Sequence, residues 1–315
     1  MNTIFCPVLK TKRVSERNAL QALMPLLEKN ADVIPYLQLL KDDDQNRADK
    51  YVNALSDLPF FIEPASNVSL LNLLVYPQSI PVFSIRNSSH DANLLNYISK
   101  CHKINRRVAV KISCYDSKNA AYLLSQLNSR DYLFIDIDKN DYSSVALLMI
   151  LKGMPRQCKI IINSNERSVA YSGKDFNKYN DSFPRVALFN TSIIKSIKNG
   201  TFAFDGFSSY CAAKNDSTEE IQIANTIFGY LLMYNYEQND FYIVTTDTPD
   251  HISRVYNTLI QEIYSSRRTV LAYLATTPIS NSMLEAAYSV GKLSCSRKIT
   301  IEITHYIEEI INNLK

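Results

Sequence analysis

The feature that most constrains this chain is an eightfold alternation, over its first two hundred residues, of short β-branched or aromatic runs with longer helix-period segments. The runs are TIFCPVL (3–9), DVIPYLQL (32–39), PFFIE (59–63), IPVFSIR (80–86), RVAVKIS (107–113), YLFIDID (132–138), KIIINS (159–164) and RVALFN (185–190). Each connection is too long for a hairpin and long enough for a right-handed helical crossover, so the pattern predicts a parallel sheet. Eight strand–helix units over ~200 residues match the lower size limit of a closed, TIM-barrel-like (β/α)₈ fold. A doubly wound open sheet is the alternative.

Helical segments are expected at about 14–29, 46–56, 67–75, 91–103, 117–128, 142–152, 166–180 and 191–199. After Gly200 the alternation breaks. Residues 201–315 read as a carboxy-terminal α/β extension packed on a barrel of residues 1–200, with a strand at 240–246 and helices near 249–265, 281–293 and 300–314.

Composition removes several classes of function. The chain has six glycines, the first at position 153, so neither a P-loop nor a dinucleotide fingerprint can form; both need closely spaced glycines to bring backbone N–H groups to phosphates. No G-x-S-x-G elbow is present. The histidines at 90, 102, 251 and 305 lie outside the barrel runs, which removes a two-His-one-carboxylate metal triad on those strands. Cys101 and His102 adjoin, yet no second pair with ligand spacing accompanies them, so no metal and no cofactor is expected. The six cysteines read as reduced, buried small hydrophobes. A net charge of +3 is too small to imply nucleic-acid binding, which rests only on the basic clusters at 10–13, 100–107 and 265–268. The most apolar stretches, 144–151 and 225–234, are far shorter than the ~20 residues needed to cross a bilayer, and the amino terminus has no signal-peptide pattern. A cytoplasmic protein is expected.

A parallel barrel works at the carboxy-terminal ends of its strands. Period-two alternation places Lys10 on the face of Ile4, Cys6 and Val8, Glu63 on that of Phe61, Lys111 on that of Ala109, and Asp136 and Asp138 on that of Tyr132 and Phe134. Arg86 and Asn163 hold the same late positions in their runs, and Asp205 follows the eighth unit. Such a rim can serve acid–base chemistry, with Glu63 or Asp136 transferring a proton and Lys10, Arg86 and Lys111 holding an anion. It can equally be a self-neutralising network that closes the barrel mouth, because unpaired buried charges are costly. Both readings are open at this stage.

The segments PVLKTKRVSERNALQAL (7–23) and DVIPYLQLLK (32–41) resemble the beta-protein family, whose members occur in prophages and bacterial anti-phage defence loci. Pro7, Leu9, Lys10, Lys12, Glu16, Ala19, Leu20 and Pro35 fit its opening motifs. DGFSSY (205–210) is similar to its Gly-Phe-Gly-Asp-Tyr segment, and SRKITIEITHYI (296–307), with His305, to its terminal histidine-bearing helix. The departures are Gln38, where a strand-end Glu is expected, and Ser208-Ser209 in place of Gly-Asp. The resemblance implies a barrel that binds a protein partner from a neighbouring gene, or a signal, within a phage-defence or toxin-control system. Lys12 and His305 join the binding candidates on that ground. The rim itself points instead to an enzyme acting on a phosphorylated or nucleotide-like substrate.

Overall fold

The computed structural model describes residues 3–11, 14–39, 45–65, 73–85, 92–113, 117–136, 157–164, 185–187, 204–209, 226–237 and 240–314. Within them the barrel strands are β1 (Ile4–Lys10), β2 (Tyr36–Gln38), β3 (Phe60–Glu63), β4 (Ser79–Ser84), β5 (Ala109–Ser113), β6 (Tyr132–Asp136), β7 (Lys159–Ser164) and, after a short β8 (Arg185–Ala187) outside the barrel, β9 (Gly206–Ser209). They form one closed, all-parallel sheet in the order β1-β2-β3-β4-β5-β6-β7-β9. Four intervening helices are described: α1 (Val14–Leu27), α2 (Gln45–Leu55), α3 (Ala92–Lys103) and α4 (Ser117–Gln126). The fold is a TIM-barrel-like (β/α)₈ fold. The helices expected at 142–152, 166–180 and 191–199 lie outside the described residues.

The pleat sorts each strand between two apolar layers. Inward residues, among them Ile4, Cys6, Val8, Tyr36, Phe61, Val82, Ala109, Phe134 and Ile161, fill the barrel interior as one cluster. Outward residues such as Phe5, Leu9, Ile62, Val110, Leu133, Ile162 and Phe207 join the helices in a second. Both faces are buried, which is why these strands read as near-continuous hydrophobic runs in the sequence.

One expected strand is elsewhere. The run at 185–190 does not close the barrel: β8 pairs antiparallel with β12 (Asp240–Thr245), which also pairs antiparallel with β11 (Tyr230–Asn235). The eighth barrel position is taken by β9, which pairs parallel with both β7 and β1 and lies past residue 200. The run at 185–190 reads as the stronger strand, since glycine is depleted in strands, yet partner geometry gives the gap to the Gly-Phe-Ser-Ser segment. Gly206 meets that geometry. A Cβ there would sit 2.0 Å from the Ile4 carbonyl oxygen, a backbone atom that no rotamer can move.

The rest of the chain adds a two-stranded ribbon, β10 (Thr226–Ile227) with β13 (Asp250–His251), and helices α5 (Val255–Ser266), α6 (Arg268–Leu274), α7 (Pro278–Val290) and α8 (Cys295–Asn313). Helix α8 joins this layer to the barrel. Its Ser296 and Thr300 hydroxyls bond to Ser15 on α1, and the Tyr306 hydroxyl lies 2.7 Å from Ser209 Oγ on β9. Ile303, Tyr306 and Ile307 belong to the same hydrophobic cluster as the outer barrel wall. Cys6, Cys101 and Cys158 are buried, as expected, whereas Cys295 at the start of α8 is exposed. Among the described residues no helix is long and apolar enough to cross a membrane.

Because the contact at Gly206 is with backbone, Gly206→Ala is expected to destabilise the protein by about 3 kcal/mol or more. Urea denaturation followed by far-ultraviolet circular dichroism measures it. A loss under about 1 kcal/mol would contradict closure at this position.

Candidate functional site

Each barrel strand carries an inward polar residue at or near its carboxy-terminal end, and β5 carries a second, Ser113, which pairs with Asp136. In strand order the ring residues are Lys10, Gln38, Glu63, Ser84, Lys111, Asp136, Asn163 and Ser208. The register groups them in three staggered rows, Lys10 with Gln38 and Glu63, Ser84 with Lys111, and Asp136 with Asn163 and Ser208, while Lys111 itself pairs with Phe134 and Ser208 with Cys6, as the strand stagger of a tilted barrel requires.

The ring is hydrogen-bonded in two stretches, one joining Gln38, Ser84 and Lys111 to Glu63 and the other joining Asp136, Asn163 and Ser208. Glu63 is the hub of the first. Lys111 Nζ lies 2.6 Å from Glu63 Oε1 and 2.8 Å from Oε2; Gln38 Nε2 and the Tyr36 hydroxyl donate to Oε2 at 3.0 and 2.9 Å, and the Ser84 hydroxyl donates to Oε1. On the far side Asn163 Nδ2 donates to Asp136 Oδ1, and the Ser208 hydroxyl donates to Asn163 Oδ1 at 2.7 Å. Between the two stretches, Lys111 Nζ and Asp136 Oδ2 stand 3.9 Å apart. Lys10 is buried at the adjoining position of β1.

The two carboxylates live in opposite conditions. Burial works to raise the Glu63 carboxyl, but the Lys111 charge and the hydrogen bonds from Lys111, Ser84 and Tyr36 outweigh it and hold Glu63 below its ordinary value. Asp136 is raised. Enclosure by the walls of the mouth is the largest cause, the Glu63 charge adds to it, and Lys111 and Asn163 oppose it. The Asp136 side chain is still 42% accessible, so water in the mouth moderates the rise. The surroundings thus favour the ionised form of Glu63 and the protonated form of Asp136.

Of the residues expected from the sequence, Lys10, Glu63, Lys111, Asp136 and Asn163 come together in this ring. Lys12, Arg86 and Asp138 lie outside the described residues. Asp205 does not join it. It precedes β9 at the opposite mouth, where its carboxylate accepts from Ile160 N at 2.8 Å and its carbonyl from Ile4 N at 2.8 Å. The pattern placed it after an eighth unit that was the wrong strand. Gln38, Ser84 and Ser208 were missed as site members; all three obey the same parity rule, but uncharged side chains raise no alarm at a strand end.

His305 also lies away from the ring, in the carboxy-terminal layer. Strand β11 is an edge of its sheet, and α8 supplies the missing partners: Glu302 accepts from Leu232 N at 2.8 Å, His305 Nε2 donates to the Tyr234 carbonyl at 3.0 Å, and Glu309 accepts from Tyr236 N at 3.3 Å. The His305 Nδ1 meets the Thr277 hydroxyl at 2.8 Å. Glu308 accepts from Ile279 N and Ser280 N at 2.8 and 3.0 Å, capping α7 from a neighbouring helix. His305 is therefore a structural residue here. The Cys101–His102 pair is structural too, with His102 Nε2 on Asp131 Oδ2 at 2.8 Å. Among the described residues no group of three metal-ligating side chains is assembled.

Fold and ring define a barrel protein with a ring of charged and polar residues at the carboxy-terminal ends of its strands. No family model, curated protein or solved structure matches this chain.

Two stability experiments separate the parts. Lys111→Ala leaves Glu63 buried and unpaired and is expected to lose about 3–5 kcal/mol. Asp136→Asn keeps the Asn163 contact and is expected to leave stability unchanged or raise it at neutral pH: a carboxyl whose folded value is raised contributes stability at low pH and loses it as pH rises. Equal losses in the two variants, by chemical denaturation, would contradict this division.

The His305 ring has the reverse linkage. Burial depresses it to about 4, against about 6.5 when unfolded, so the unfolded chain takes up the proton first and stability falls as pH drops from about 6.5 to about 4. His305→Gln is expected to flatten that part of the stability–pH curve. An unchanged slope would show that His305 is not buried neutral.

Proposed function

We propose that the barrel mouth is an enzymatic site for a small phosphorylated or nucleotide-like substrate, with Asp136 as the proton-transfer group. The observation that carries the reading is the asymmetry of the two carboxylates. Glu63 is saturated by four side chains and holds Lys111 in place, while Asp136 has one oxygen fixed by Asn163 and the other, Oδ2, facing the mouth. A network serving only to close the barrel would have no use for that half-satisfied, half-accessible carboxyl.

In this reading Lys111, with Lys10 beside the ring, supplies positive charge to an anionic group of the substrate. Asn163, oriented by Ser208, fixes which Asp136 oxygen points outward. The departures from the beta-protein pattern do not remove the acid from the ring. Gln38 faces inward and donates to Glu63, where a second carboxylate would repel it, and Ser209 faces away from the ring toward Tyr306.

The resemblance supports a setting for the activity: a phage-defence or toxin-control system with a protein partner encoded nearby. Capture from the native host, with turnover assayed alone and with co-purifying proteins, addresses that setting.

The central test is to offer the purified protein a panel of sugar phosphates, nucleotides and phosphorylated acids, and to compare it with Asp136→Asn. Turnover that falls about 10²–10⁴-fold in a variant of unchanged stability is the expected outcome. Full activity in Asp136→Asn, or no turnover by the wild-type chain with or without its partner, would overturn the reading.

A further inference from the structure

Lys111 Nζ is pinned between both oxygens of Glu63, yet it stands 3.9 Å from Asp136 Oδ2, too far for a hydrogen bond. An oxygen atom about 2.8 Å from each would bridge them without moving either. Both groups keep a face on the mouth, with 11% of the Lys111 side chain and 42% of the Asp136 side chain accessible. The space cannot extend far into the barrel. Tyr36, Phe61 and Phe134 pack edge-on or tilted there, with ring centroids 4.9–6.0 Å apart.

In the Ser208–Asn163–Asp136 chain the Ser208 hydroxyl donates to Asn163 Oδ1 and the Asn163 amide N–H donates to Asp136 Oδ1. Oδ1 is then an acceptor, and a proton on this carboxyl resides on Oδ2, the oxygen that faces Lys111 across the gap. With Asp136 ionised, an entering anion would meet the Oδ2 charge directly. With Asp136 protonated, the same anion meets an O–H donor.

We infer that the space between Lys111 Nζ and Asp136 Oδ2 is a subsite for one oxygen of a small oxyanion, a carboxylate or a tetrahedral phosphate-type group, which binds together with one proton carried on Asp136. The inference rests on the reading of the mouth as a ligand site and names the ligand chemistry. The proton comes from solvent and no covalent bond changes. Among the described residues the groups facing Asp136 are Lys111 on β5, Asn163 on β7 and, farther off, Glu63 on β3; burial among them favours the protonated form that the anion selects.

The test is calorimetric titration of the full chain with sulfate and with oxalate from about pH 5 to about pH 9, where neither probe changes charge appreciably, in buffers of different ionisation enthalpy. Wild-type protein is expected to take up close to one proton per anion, and its affinity to fall by about tenfold per pH unit once Asp136 is ionised. Asp136→Asn is expected to bind without proton uptake and independently of pH, because a carboxamide N–H donates at every pH. Binding of sulfate alone assigns the tetrahedral class and binding of oxalate alone the carboxylate class. No binding of either probe, binding without proton uptake, or the wild-type pH dependence persisting in Asp136→Asn would overturn the inference. If Asp136→Asn still abolishes turnover in such a case, the subsite falls and the proton-transfer reading stands; proton-linked binding without turnover gives the opposite result.

Discussion

A strand in a closed barrel is buried on both faces, and the placement of polar groups in the barrel follows from that constraint. Polar side chains are excluded from the middle of each strand, because an unpaired polar group there would be stranded away from water. They collect at the ends. The pleat then fixes which of them point inward, so polar residues from all eight strands, from Lys10 to Ser208, gather at the carboxy-terminal mouth. The ring is thus a geometric product of eight parallel strands staggered round a closed barrel.

Within the ring, charge is distributed unevenly. Glu63 receives a lysine, two hydroxyls and an amide, enough to stay ionised despite burial. Asp136 receives one amide on one oxygen and only a distant ammonium at the other. Lys111 connects the two by standing close to the first and apart from the second. The strongly bonded carboxylate keeps the ammonium from collapsing onto the weakly bonded one, and this leaves Asp136 open to the mouth.

The carboxy-terminal layer answers a different problem with the same chemistry. Strand β11 has an unpaired edge, and helix α8 covers it with Glu302, His305 and Glu309, whose side chains meet alternate backbone groups as a neighbouring strand would. Lys298 neutralises Glu302 at 2.9 Å and lies 3.6 Å from the centre of the Tyr230 ring. The other side of α8 packs on α1 and β9, so the layer and the barrel wall share one apolar cluster. A helix with so many buried charged residues looks solvent-exposed in sequence; here its polar groups are engaged by backbone.

The sequence by itself determined the barrel class, seven of the eight strands, the parity of their side chains and most of the ring, because hydrophobic alternation and crossover length are local properties. Lys10, Glu63, Lys111, Asp136 and Asn163 were legible as neighbours for that reason. Only the tertiary structure decided which short run closes the sheet: the run at 185–190 reads as the stronger strand, but a backbone must approach Ile4, and Gly206 allows it. It also moved Asp205 to the opposite mouth and gave His305 an edge strand to satisfy. Above all it divided Glu63 from Asp136. Their different protonation depends on which hydrogen-bond donors arrive from other strands, and those distances exist only once the barrel is closed.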